Sequence, residues 1–171
     1  METLERPLAQ HAFLAGLDRR YLRQLAGLAS NKSFKALQMI FHEGDPANEF
    51  YLICKGKVAI ETALLGCDAI QIQSLGEGEV LGWSWLLPPY QWHYSARAIE
   101  PTQVIALDGA ALRTLCEKDH DLGYEMMKRF ALVIVQRLAA TRARFLSFPD
   151  PRPADASPVR PGFPGFPIVG E

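Results

Sequence analysis

Short segments in which apolar and polar residues alternate recur along the chain, and turns rich in glycine and aspartate separate them. Such alternation is typical of β-strands that bury one face. The predicted strands span residues 35–41, 49–54, 57–62, 69–75 and 103–107. Because short strands at a spacing of roughly 8–12 residues favour a sandwich or barrel, we predict a mainly β fold with flanking helices, an antiparallel β jelly-roll (double-stranded β-helix).

Helices are predicted on both sides of these strands. Apolar residues recur at helical intervals within residues 8–28, and Asp18 is the expected N-cap of a helix that runs through Ala29. A second, short helix is expected over residues 108–117, directly after the last predicted strand. Helices are thus predicted before the first strand and after the last one.

A long helix is predicted at about residues 119–148, with a length of ~45 Å if it is straight. Two apolar stripes run along it, and one has the alternating three- and four-residue spacing of a two-stranded coiled coil. This seam contains Tyr124, Met127, Ala131, Ile134, Leu138, Thr141, Phe145 and Phe148, and the second stripe contains Leu122, Met126, Phe130 and Val133. One stripe can cover the barrel while the other contacts a second copy, which predicts a homodimer; the alternative is one broad stripe packed on its own domain.

The composition changes after the long helix. Seven of the twelve prolines lie between Pro149 and Pro167. Such a segment cannot build a core. We therefore predict a folded domain over residues 1–148 and a disordered tail over residues 149–171. The alternative is a docking peptide that binds a protein partner through Phe163 and Phe166.

Charge and sequence patterns exclude several classes of protein. The 18 basic and 19 acidic residues leave no basic field to hold nucleic acid. Residues 1–7 are acidic where a secretory signal is basic, and no apolar run reaches the length of a membrane span. We therefore expect a cytoplasmic protein with no membrane partner and no direct binding to DNA.

No pattern of residues indicates catalysis or a metal. The sequence lacks a P-loop, a dinucleotide-binding fingerprint and a Ser/His/Asp arrangement. Neither the histidines nor the cysteines have the spacing of a metal site; they are His11, His42, His93 and His120, and Cys54, Cys67 and Cys116. We therefore expect no enzymatic activity, no catalytic residue and no bound metal.

Several short motifs follow one another in order. They are Leu-x-x-His-x-Phe-Leu-x-Gly-Leu at residues 8–17, Glu-Gly-Asp at 43–45, Phe-Tyr-Leu-Ile at 50–53, Lys-Gly-Lys-Val at 55–58, Gly-Glu-Gly at 76–78 before Leu81-Gly82, and Ile-Ala-Leu-Asp at 105–108. Together they resemble the cyclic nucleotide-binding domains of the catabolite-activator superfamily, over roughly residues 8–148. The resemblance implies a regulatory module whose ligand repositions the long helix. Family transcription factors continue into a helix-turn-helix domain, whereas this chain becomes proline-rich.

The resemblance also locates a phosphate-binding cassette. Family domains hold the cyclic phosphate with helix-terminal N–H groups and an arginine from an Arg-Ser/Thr-Ala triplet, while a glutamate after a glycine accepts from the ribose. Matching Leu81-Gly82 to the first element places Trp83 at the glutamate. Counting back from Asp108 places Trp92, followed by His93, at the arginine. An alternative register makes Arg97 the cation.

Both charged anchors are therefore expected to be indole rings. Losing two charge-assisted contacts of about 1.5–3 kcal/mol each weakens cyclic nucleotide binding on the order of a hundredfold to ten-thousandfold. The candidate pocket residues are Gly82, Trp83, Ser84, Trp85, Trp92, His93, Ser95 and Arg97. An aromatic pocket suits a flat, weakly charged or cationic ligand.

We predict a ligand-sensing module with altered or lost cyclic nucleotide specificity. Its effector would be a cyclic nucleotide or another small aromatic ligand. The alternative is that the aromatic rings fill the pocket as core. The chain would then be an interaction protein that acts through its dimer helix and its tail. The cluster Arg137, Arg142 and Arg144 is expected to be a solvated basic face.

Overall fold

Two four-stranded antiparallel sheets form the body of the computed structural model, which describes residues 4–63 and 69–146. The strands are β1 Ala29–Phe34, β2 Met39–Phe41, β3 Glu49–Lys55, β4 Val58–Thr62, β5 Ile70–Leu75, β6 Val80–Leu81, β7 Ser95–Ala98 and β8 Thr102–Asp108. The strand order is β1-β8-β3-β6 in one sheet and β2-β7-β4-β5 in the other. This sandwich confirms the predicted jelly-roll fold. The predicted tail and the boundary at residue 148 lie outside the described residues.

The helices flank the sandwich as predicted. They are α1 Glu5–Gln10, a 3₁₀ turn Ala12–Leu14, α2 Arg19–Ala26, α3 Gly109–Lys118 and α4 His120–Leu146. Asp18 caps α2, because its carboxylate accepts from the N–H of Arg20 at 2.8 Å. Asp108 caps α3 in the same way through the N–H of Ala111 at 2.9 Å. Helix α2 ends before the predicted Ala29, because that residue already pairs with Leu107 of β8.

Strands β1, β6 and β7 were not predicted, and more than half of the strand predicted over residues 35–41 is a turn. The sequence of β1 is polar because it lies at the edge of its sheet and buries little of its surface. The turn contains Leu37 at φ 64°, and the N–H of Gln38 donates to the carbonyl of Lys35 at 3.1 Å. Only Met39–Phe41 of the predicted strand remains extended, as β2.

Aromatic rings form the centre of the core between the sheets and α4. Phe50 stacks on Trp85 with ring centroids 5.1 Å apart, and Phe13 lies 4.8 Å from Phe130 of α4. Leu122 and Met126 of α4 are also fully buried. The second apolar stripe of the long helix therefore covers the barrel, as expected.

The coiled-coil seam of α4 faces largely away from this core. Tyr124 is 66% exposed and Leu138 is 69% exposed. In the described part of the chain, no helix combines the length and apolar character that crossing a membrane requires.

Candidate functional site

A cavity of about 400 Å³ lies between the second sheet, the predicted cassette and α4. It is lined by Phe41, Ile60, Ile72, Gln73, Leu81, Gly82, Trp83, Ser84, Trp92, His93, Tyr94, Ile134, Arg137, Leu138 and Thr141. The structure thus brings five of the predicted site residues together, namely Gly82, Trp83, Ser84, Trp92 and His93. Helix α4 contributes four residues to the lining, so the cavity is in direct contact with the long helix.

Trp92 closes one end of this cavity. Its side chain is only 5% exposed, and it stacks on Phe41 with ring centroids 3.8 Å apart and an interplanar angle of 10°. The backbone of Trp92 is tied to the turn that precedes β3, because its N–H donates to the Asp45 carbonyl at 2.9 Å and its carbonyl accepts from Gly44 at 2.8 Å. The ring lies over Gly82, which has φ 87°. Trp92 is therefore a packed residue and a wall of the cavity at once.

Trp83 and His93 form a second aromatic pair at the cavity. Their rings stack with centroids 4.9 Å apart and an interplanar angle of 21°. The Nδ1 atom of His93 is 2.9 Å from the hydroxyl oxygen of Ser84, which is 4% exposed. Either group can donate in this bond, depending on the imidazole tautomer. The bond joins the turn that follows β6 to the segment that precedes β7.

Trp85 and Ser95 do not line the cavity. Trp85 is fully buried in the central core, where its ring packs against Phe50 and Phe130. The hydroxyl of Ser95 accepts a hydrogen bond from the N–H of Glu43 at 3.0 Å. These two residues therefore support the fold around the cassette rather than contact a ligand in the cavity.

Arg97 also lies away from the cavity. Its Nε is 3.2 Å from both carboxylate oxygens of Glu61, and its Nη1 donates to the Leu37 carbonyl at 3.3 Å. Side chains alternate between the two faces of a strand, and the buried neighbours Ala96 and Ala98 point inward. The alternative register, in which Arg97 supplies the phosphate-binding cation, is therefore not supported by its position.

Arg137 is the cation that does line the cavity, and the sequence prediction of a solvated position was wrong. Its Nη2 donates to the carbonyl of Val80 in β6. Burial lowers the pKa of its guanidinium, and the nearby Glu79 carboxylate acts in the opposite direction. The sequence did contain a sign that Arg137 is partly buried. Arg137 follows Val133 by four residues, so it lies on the same face of α4 as the stripe that covers the barrel.

The comparison with protein families settles the family. Residues 31–119, more than half of the chain, match the model of the cyclic nucleotide-binding domain. The chain belongs to this family. Members of this family are often regulatory sensors and are generally not enzymes, which supports a regulatory, ligand-sensing role for the domain.

Individual relatives agree with this assignment. The cyclic AMP receptor protein of Thermus thermophilus is 37% identical over 68 residues, which is 40% of this chain and 32% of that protein. The matched region thus spans about a third of the receptor's length. A structure from Geobacter metallireducens GS-15, described as a cyclic nucleotide-binding protein, superposes with a TM-score of 0.71 at 30% identity, over 81% of this chain and 99% of that one.

A cyclic nucleotide-binding domain from Methylobacillus flagellatus KT has the same fold. It superposes with a TM-score of 0.74 over 84% of this chain and 85% of that domain. Its sequence identity is 20%, so this likeness concerns the fold alone.

Proposed function

We propose that this domain senses a small, largely apolar ligand and has lost the tight binding of cyclic nucleotides. The observation that carries the proposal is the position of Trp92. Its ring lies against Gly82, where the family resemblance expects the cyclic phosphate, while a cavity of about 400 Å³ remains between this ring and α4. The end of the pocket that would hold a phosphate is filled, and the rest of the pocket is open.

The remaining lining fits an apolar ligand. Ile60 and Ile72 from the sheet and Ile134 and Leu138 from α4 supply aliphatic surface. Trp83 adds an aromatic face on which a flat ring can stack. No carboxylate is found among the described lining residues, so none of them offers ribose hydroxyls the carboxylate acceptor that the family resemblance expects. Small-molecule sites are commonly of this kind, apolar with a few polar groups.

Helix α4 is the proposed output element. Ile134, Leu138 and Thr141 line the cavity, so a ligand that contacts them stabilises one position of the helix over others. The exposed seam residues of the same helix, including Tyr124 and Met127, form the surface through which we propose that two copies pair. A ligand could then change the geometry or the strength of the dimer.

A thermal-shift titration tests the proposal. The probes are cyclic AMP, cyclic GMP and indole, a neutral bicyclic ring. Binding to the folded state raises the melting temperature with the logarithm of ligand concentration over Kd. We expect a rise with indole at millimolar concentrations and none with either nucleotide at micromolar concentrations. A nucleotide response at micromolar concentrations would refute the proposed loss of specificity.

A pair of variants shows whether indole binds in this cavity. Ile134→Trp fills the cavity from α4 and should abolish the response. Leu132→Trp adds the same ring to the same helix at a position that is 63% exposed, and it should leave the response intact. An unchanged response in Ile134→Trp would place the indole site elsewhere.

The second candidate is an interaction protein whose pocket is filled. The close packing of Trp92 on Phe41 favours it, since the ring behaves there as core. Truncation after Phe148 distinguishes the two functions. A sensor keeps its ligand response without the tail, whereas an interaction protein that docks through the tail loses its protein partner.

A further inference from the structure

We infer that the ligand of this cavity carries one anionic group and that Arg137 of α4 binds it. The inference rests on the proposed sensor function and specifies the class of ligand, namely a small organic acid with an aromatic or aliphatic body. The anion would bind at the wall formed by α4, and not at the cassette, where Trp92 occupies the space.

The first step concerns the charge of the lining. Arg137 is the only arginine, lysine, aspartate or glutamate among the described lining residues; polar side chains also come from Gln73, Ser84, His93, Tyr94 and Thr141. Among the described residues, no salt bridge pairs Arg137 with a carboxylate. Glu79 is close enough to affect its pKa, but the carboxylate of Glu79 accepts from the N–H of Gly76 at 2.6 Å. The positive charge of the cavity therefore has no balancing negative charge within it.

The second step concerns the donors of the guanidinium. An arginine has five N–H donors in a planar fork that matches the two oxygens of a carboxylate. The hydrogen bond to the Val80 carbonyl engages Nη2 with a neutral acceptor. A partly buried cation with a neutral partner gains from an anionic ligand, because a charge-assisted bond is stronger than a neutral one. Arg137 lines this cavity as well as a neighbouring one lined by Glu79 and Val80, so a ligand in this cavity can gain such a bond.

The third step concerns the body of the ligand. The aliphatic residues Ile134 and Leu138 lie on α4 within one turn of Arg137, and Ile60 of β4 lines the same cavity. A volume of about 400 Å³ accommodates one or two fused rings with a short acidic side chain. With one guanidinium in the lining, a monocarboxylate is better matched than a dianionic phosphate ester.

Isothermal titration calorimetry at low salt tests the inference with pairs of probes that differ only in charge. The pairs are phenylacetate and phenylacetamide, indole-3-acetate and indole-3-acetamide, and 1-naphthylacetate and 1-naphthylacetamide. We expect at least one acid to bind about ten- to hundredfold more tightly than its amide, as one charge-assisted pair provides. Arg137→Gln should remove this preference and leave the affinity for the amide nearly unchanged.

Two further variants keep the test decisive. Arg129→Gln is the matched control, since Arg129 is also on α4 and donates to the carbonyls of Phe13 and Ala15, but it does not line this cavity. It should keep the preference for the acid. Arg137→Lys retains the charge without the planar fork, so it should lose part of the preference for the acid. If Arg137→Gln does not fold, this partial loss is the test.

The outcomes separate the inference from the proposed function. Equal binding of acid and amide, or a preference that survives in Arg137→Gln, overturns the inference and leaves the apolar sensor standing. Binding of no probe at millimolar concentrations counts against both.

Discussion

The six-membered ring of Trp92 lies so close to Gly82 that a Cβ atom built on the glycine would stand 2.5 Å from Cζ3 and 2.7 Å from Cη2. Gly82 also has φ 87°, a conformation that side chains with a Cβ rarely adopt. The glycine is therefore required for two independent reasons. In this chain, the glycine of the cassette admits an indole ring where the family resemblance expects a phosphate.

Gly82→Ala should destabilise the domain by about 2–5 kcal/mol, the sum of the strain at positive φ and the overlap with Trp92. Urea unfolding measures this loss. In a Trp92→Ala background the overlap disappears, so the same substitution should cost about 1–3 kcal/mol less. If the two substitutions are additive, the two residues are not in contact as described.

Restoring the missing charges tests the cassette. Trp92→Arg combined with Trp83→Glu should increase the affinity for cyclic AMP on the order of a hundredfold to ten-thousandfold, since both charge-assisted contacts return. Calorimetry with cyclic AMP measures the gain. The control, Trp92→Leu with Trp83→Gln, removes the same rings without adding charge. An equal gain in this control would mean that free space, and not charge, limits binding. No gain in either variant would contradict the alignment of Trp83 and Trp92 with the family residues.

Arg113 connects α3 to the cassette segment. Its Nη1 donates to the carbonyl of Trp85, and its guanidinium lies 4.1 Å from the centroid of the Tyr90 ring. Arg113→Ala should cost about 1–3 kcal/mol and increase amide hydrogen exchange in residues 84–92. Arg113→Lys should rescue little, because an ammonium cannot reproduce the planar stack.

Arg23→Ala is the control for this effect. Arg23 is exposed on α2, and its Nε lies 3.9 Å from Glu5, so its removal should cost less than about 0.5 kcal/mol. Unchanged exchange in the cassette of Arg113→Ala would show that the segment is held by other contacts.

The elements that could be predicted from the sequence are those whose local sequence patterns match the way their residues are buried in the structure. Asp18 and Asp108 cap helices because their short carboxylates reach the free N–H groups of the first turn. Strand β1 escaped prediction because its stability comes from pairing with β8, a partner far away in the sequence. Strand propensity and the alternation of apolar and polar residues both reflect the burial of one face of a strand. An edge strand that buries little of its surface therefore shows neither pattern.

The site was predicted only in part. Trp83 and Trp85 are both one residue from Ser84, yet one lines the cavity and the other fills the core. They lie in a segment without helix or strand, so the position of a residue in the sequence does not predict the direction of its side chain. Arg97 differs, because it lies in a strand between two buried alanines, Ala96 and Ala98. Side chains alternate between the two faces of a strand, so that of Arg97 lies on the outer face.

His11 should make the domain less stable in acid. Its Nδ1 accepts from the N–H of Phe13 at 3.3 Å and its Nε2 is 3.2 Å from the carbonyl of Ile53, which fits a neutral ring. Burial lowers the pKa of His11 below its usual value of 6.5. The folded state thus binds fewer protons than the unfolded state, so the contribution of His11 is present above pH 6.5 and is lost as the pH falls through the folded pKa.

Urea unfolding at several pH values between neutral and about pH 5 measures this dependence. His11→Gln keeps a donor and an acceptor but cannot titrate, and it should flatten the acid side of the profile. His42→Gln changes an exposed histidine and should leave the profile as it is. An unaltered slope in His11→Gln would assign the acid sensitivity to other groups.

The exposed face of α4 should determine whether two copies associate. Met127 is 47% exposed on the coiled-coil seam, and in a parallel pair of helices it would meet its own copy across the twofold axis. Met127→Glu places two like charges in that apolar contact and should weaken dimerisation by about a hundredfold, measured by sedimentation equilibrium. Gln136→Glu adds the same charge off the seam and should have little effect. A monomeric wild-type chain, or a dimer that Met127→Glu leaves intact, would exclude this face as the dimer surface.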